Sequence, residues 1–74
     1  MPSKATLMAM GSAQAIVAYA VSNHGVDPVL RQVATLEDGS RSVILLDSGQ
    51  SEFTGVGAST KEAVADAVST KFPG

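Results

Sequence analysis

The spacing of apolar residues changes along this chain, helical at both ends and strand-like between them. Ala13, Ile16, Val17, Ala20 and Val21 fall at i, i+3, i+4, i+7 and i+8, one amphipathic face. They sit within a run from Ala5 to Asn23 rich in helix formers, with Ser3 or Thr6 as the expected cap. Gly11 interrupts the run and costs about 1 kcal/mol relative to alanine inside a helix. Either the helix proper starts near Ser12, or Gly11, with Ala15 and Ala18, permits close approach by another element. Leu7, Met8 and Met10 precede this point as an extra apolar patch. Methionine adapts to irregular surfaces, so Met8 and Met10 are candidate contacts for a protein partner. The plainer expectation is that they pack onto the chain's own sheet. Asn23-His24-Gly25 predicts a helix stop, with Gly25 in the left-handed conformation.

Three strands are expected next. Val29 to Leu36 follows the Asp27-Pro28 turn, and Glu37-Asp38-Gly39-Ser40 is a hairpin turn with a strong Asp-Gly signal. Arg41 to Leu46 contains Val43-Ile44-Leu45-Leu46, the run of a central, well-covered strand. Asp47-Ser48-Gly49-Gln50 is a second turn, and Ser51 to Val56 a third strand anchored by Phe53 and Val56. In Gly55-Val56-Gly57-Ala58-Ser59-Thr60-Lys61-Glu62 the glycines are expected to take dihedrals closed to other residues as strand gives way to helix. Ser59 and Glu62 form a capping box, the serine accepting from the N3 amide and the glutamate reaching back to the amide of the cap. A closing helix from Thr60 to Lys71 follows, and Pro73-Gly74 ends the chain. The expected fold is α+β in the order α-β-β-β-α: a three-stranded antiparallel sheet with two helices packed on one face, and residues 1–74 as a single domain.

Composition narrows the functions. With 74 residues and no cysteine, the core is small and lacks disulfides or thiolate metal sites. It is built largely from alanine and valine, which bury little area each, so a protein partner or a second copy of the chain is expected to add burial. The net charge of −2 is spread without a basic stripe. The N-terminus does not read as a signal peptide, and no run approaches the ~20 apolar residues that span a bilayer, which leads to the expectation of a soluble, cytoplasmic domain with no membrane role.

Catalytic chemistry finds few handles. Ser22, His24 and Asp27 crowd around one helix terminus, whereas triads draw their members from separate elements. His24 is expected at the negative end of its helix dipole. There is no metal-ligand cluster and no nucleophile paired with a base, so neither catalytic residues nor cofactors are expected. Gly-Val-Gly-Ala-Ser-Thr lacks the spacing of a nucleotide P-loop and the third glycine of a dinucleotide fingerprint. The helix start at Ser59 remains a physically plausible anion site, with Gly57, Thr60, Lys61 and Arg41 as tentative contributors. A solvated Lys61 beside Glu62 is the plainer reading.

The element order and the stretch from Gly55 to Val68 resemble the double-stranded RNA-binding domain. That family closes its third strand with a Gly-x-Gly-x-Ser-Lys-Lys-x-Ala-Lys run entering an alanine-rich helix. The resemblance implies that Lys61 is the one survivor of three phosphate-facing lysines, with Thr60 and Val64 replacing the others. The family's Gly-Pro-x-His loop has no counterpart in Glu37-Asp38-Gly39-Ser40-Arg41, and the helix-one contacts have only Gln14 as an echo. These losses remove most of the charge that drives duplex binding. If the family's helix orientation holds, Val64 is exposed where RNA would lie and becomes a candidate protein contact. If Val64 is buried, the helix has rotated and the likeness is one of topology.

The expectation is therefore a non-catalytic interaction module working through protein–protein contacts or as a homo-oligomer. A stand-alone viral or mobile-element accessory protein fits a chain that starts at Met1. Weak, shape-directed binding of double-stranded RNA through Gly55–Lys61 is the alternative.

Overall fold

The computed structural model describes residues 3–72; Met1, Pro2 and the terminal Pro73-Gly74 lie outside the described residues. The chain forms α1 (Lys4–Met8), α2 (Ala13–His24), β1 (Gln32–Thr35), β2 (Arg41–Leu46), β3 (Glu52–Gly57) and α3 (Thr60–Lys71). The strands make one antiparallel sheet in the order β1-β2-β3. The α+β class and the helix–three-strand–helix order are those expected from the apolar pattern.

Of the two readings of Gly11, the one in which the helix proper starts near Ser12 holds, and the run from Ala5 to Asn23 is divided between α1 and α2. The break follows from capping: Ser12 takes an extended conformation and its Oγ accepts from Ala15 N at 3.2 Å, which starts α2 anew. A Cβ placed on Gly11 would meet nothing within 4 Å, so close approach is not the reason for this glycine. At the other end Gly25 has φ +69°, as a left-handed C-cap requires.

Register fixes the two faces of the sheet. Val33, Val43 and Gly55 stand side by side, as do Leu45 and Phe53, and these side chains point to the helices. Ile44, Thr54 and Gln32 share the other face, which none of the described elements covers, so β2 is central but only Val43 and Leu45 are fully buried on it. α3 lies directly over β3 and β2, and α2 packs beside α3. The two helices run in the same direction: Ala13 and Thr60, near their starts, border one groove, while His24 and Phe72 at their ends stack with ring centroids 4.1 Å apart.

The glycines of β3 have a different role from the one expected. Neither Gly55 nor Gly57 has positive φ. A Cβ at Gly55 would run into Ala63 O and Ala67 N, and one at Gly57 would lie 2.7 Å from Ala63 N. Only a bare strand lets α3 sit this close, and Ala63 and Ala67 complete the contact from the helix side. These glycines are there for close packing, and the turn after them needs no unusual dihedral.

The core unites Leu7 of α1, Ile16, Val17 and Ala20 of α2, Val43 and Leu45 of β2, Phe53 of β3 and the buried face of α3. Val64 is 0% exposed within it. The expectation that Val64 offers a partner a surface contact is corrected: α1 and α2 both pack on α3, and the Val64–Val68 ridge is used internally.

Candidate functional site

The least satisfied region of the molecule lies between α2 and β1. α2 contributes Ala13, Val17, Ala18 and Val21 to one wall of a groove. Pro28 and Leu30, in the connection to β1, form the opposite wall. Thr60 closes one end, Gln14 and Ser22 add polar lining, and the groove encloses about 480 Å³. Neither α2 nor α3 extends over β1. Val33 points to the helix side of the sheet yet is 48% exposed, because that side of β1 has no cover. Val29 at 54% and Leu36 at 40% flank the same strand. Three of the four large apolar side chains exposed among the described residues therefore cluster on or beside β1; the fourth, Val56, lies on the open face of the sheet.

The two edges of the sheet are treated differently. On β3 the outward amide of Val56 donates to Asp66 Oδ2 at 3.0 Å, and Glu52 adds a charge to the edge. On β1 there is no such closure. Leu36 N donates to Ser40 O at the hairpin end, so alternate residues Ala34 and Gln32 face β2 and Val33 and Thr35 turn their backbone groups outward. From Gln32 to Leu36 there is no charge and no proline.

The residues expected to bind an anion do converge on one end of the molecule. Arg41 at the start of β2 is directly opposite Gly57 at the end of β3, two residues before the Ser59 cap of α3. Ser59, the start of α3 and Arg41 are, however, already engaged, while the Lys61 ammonium is not. Ser59 Oγ accepts from Glu62 N at 3.2 Å. The Glu62 carboxylate accepts from Ala58 N at 3.4 Å, one residue earlier than a standard capping box, and so places its own negative charge at the helix start. Arg41 Nη1 donates to Gly39 O at 2.9 Å. Lys4 lies 3.9 Å from Glu62 and 3.7 Å from Asp66, drawing α1 onto the N-terminal half of α3. Lys61 is half-buried, and Thr60 belongs to the apolar groove rather than to a phosphate cradle.

Met8 and Met10 are half-buried against the chain's own core, next to Leu7, which is fully buried. Asp27 is occupied by Val29 N at 2.9 Å and Arg31 Nη2 at 3.1 Å, so it is turned toward its own loop. Among the described residues no group of histidine and carboxylates is placed to hold a metal ion. No helix there is long and apolar enough to cross a membrane.

Two carboxylates titrate low. Asp38 is held down by hydrogen bonds from the Ser40 side chain and backbone. Asp47 is held down by the Ser51 amide and then by Lys71, whose Nζ is 3.1 Å away. Both secure hairpin turns, and neither adjoins the groove.

Reasoning from sequence alone missed the groove. Its signal was the apolar Ala18 on α2, outside the stripe needed for the core. A second signal was the unguarded run from Val29 to Leu36.

The fold and the open flank define a small α+β module with one unfinished side. Comparison with protein-family models, with curated proteins and with solved structures finds no match in any of the three.

Proposed function

We propose that this chain is a non-catalytic interaction module that acts through protein–protein contacts, and that the flank formed by the α2–β1 groove and the bare edge of β1 is its contact surface. The observation that carries this reading is the uncovered apolar side of β1, with Val33 about half exposed on the face of the sheet that otherwise holds the core. Soluble monomers seldom leave apolar side chains clustered around a groove of this kind without a partner. The α-β-β-β-α order is compatible with a double-stranded RNA-binding-domain-like fold, and with Val64 buried the likeness is one of topology. Duplex RNA is the weaker reading, since the start of α3 already holds the Glu62 carboxylate and Arg41 is tied to its own hairpin.

Photo-crosslinking tests this. A benzophenone side chain at Ala18, an exposed groove position, is expected to give protein adducts in cells, while the same group at Lys61 gives none. The protein should also fail to bind a ~20-base-pair RNA duplex, longer than the ~16 base pairs one such domain spans, at low salt. No protein adduct from Ala18, together with salt-sensitive duplex binding lost on Lys61→Glu, would replace this reading by RNA binding.

A further inference from the structure

We propose that the bond between Asp38 and Gly39 is a latent site of covalent modification, held closed by its own hairpin and converted to an isoaspartyl link when that turn opens. This chemistry is independent of what the α2–β1 groove binds.

The reaction needs no cofactor. The Gly39 amide nitrogen attacks Cγ of Asp38 and a C–N bond forms; the nitrogen gives up its proton and a carboxyl oxygen departs as water. Water then opens the five-membered succinimide at either carbonyl. One opening restores aspartate, and the other leaves a main chain that runs through Cβ and Cγ. Asp38 is the only aspartate in the sequence followed by glycine, which has no Cβ to hinder the approach of the nitrogen. The turn itself demands that glycine, since Gly39 takes φ +88°.

Bulk does not protect this turn. Asp38 and Gly39 are exposed, and nothing lies within 4 Å of the place a Cβ would take on Gly39. Hydrogen bonds close it instead. The attacking nitrogen is engaged, because Gly39 N donates to Leu36 O at 3.0 Å. The carboxylate is held by the Ser40 hydroxyl and by the Ser40 amide, which donates to Oδ1 at 2.9 Å. Both bonds favour the ionised form, which lacks the proton needed for an oxygen to leave as water. The strand that leads into the turn is the edge strand β1, paired on one side only, so this end of the sheet opens more readily than the core. An isoaspartyl link adds one atom to the main chain inside the turn. That puts the Leu36 N–Ser40 O and Gly39 N–Leu36 O bonds out of step and loosens the end of β1 from β2.

Isoaspartate is counted by methyl transfer from S-adenosylmethionine with a protein isoaspartate methyltransferase, and its position is read by peptide mapping. In mildly acidic buffer the folded protein should accumulate it at Asp38 about fivefold more slowly than the same chain in unfolding urea, the factor set by one hydrogen bond. Ser40→Ala removes the hydroxyl and should raise the rate of the folded protein at Asp38 about threefold. The bond between Asp47 and Ser48 is the internal reference. Asp47 keeps the Gly49 and Ser51 amides in that variant, so its rate should not move. A folded protein that reacts as fast as the unfolded chain would overturn the guarding role of the hairpin, as would a Ser40→Ala rate equal to the parent's. A rise at Asp38 and Asp47 together would mean general unfolding, and the local guard falls. An unfolded chain that stays unmodified at Asp38 would remove the site altogether.

Discussion

At the scale of single residues, glycine carries different meanings in different places. Gly55 is needed because backbone atoms of α3 occupy the space a side chain would fill. Gly55→Ala should therefore destabilise the protein by about 3 kcal/mol or more, at or beyond the upper end for overpacked cores, as seen by urea unfolding. Gly11 is the opposite case, with open space around it and no positive φ. Gly11→Ala should raise stability by about 0.5 kcal/mol, by restricting the unfolded chain. The two substitutions are chemically identical, and the sign of the effect is set by what lies opposite. The sequence marks both positions as unusual. It does not say why, since a glycine needed for packing and one needed for a turn look alike until the opposing helix is placed.

At the scale of elements, α3 is the most heavily used part of the chain. Its start was legible because capping is local: Ser59 and Glu62 lie within a few residues of the amides they satisfy. Its rotation was not, because that depends on where α1 packs, which no local pattern states. Once α1 folds separately and places Leu7 in the core, the Val64–Val68 ridge has neighbours on all sides. Val64→Asp should then unfold the protein rather than release a partner, and Val64→Ala should cost about 2 kcal/mol, both read by thermal melting. A folded, stable Val64→Asp variant would mean that the ridge faces outward. The strand edges show the same limit. The carboxylate that closes β3 comes from Asp66, ten residues beyond Val56, and no short-range pattern announces such a bond.

At the scale of the whole molecule, the two hairpin turns and the end of α3 are held by carboxylates. Asp47 is the clearest, accepting from Gly49 and Ser51 amides at 2.9 Å and pairing with Lys71. Its folded pKa lies below the ordinary value of 3.8. Its contribution is thus fully present above that value and fades as pH falls through the lower folded one. Asp47→Asn should lower the melting temperature at neutral pH, where the carboxylate's contribution is fully present, and the difference from the parent protein should shrink as pH falls below about 4. The architecture as a whole was readable from apolar period and turn residues, since both act locally. The unfinished flank was not, because it is a property of what fails to cover β1. The position of α3 also has a consequence in time. This one helix, the last of the described elements, touches α1, α2, β2 and β3. Until its residues exist, the sheet has only a partial roof and most of its apolar side is wet. The domain therefore cannot complete its folding stepwise from α1 onward as it is synthesised, and the emerging chain depends on α3 arriving before another hydrophobic surface does.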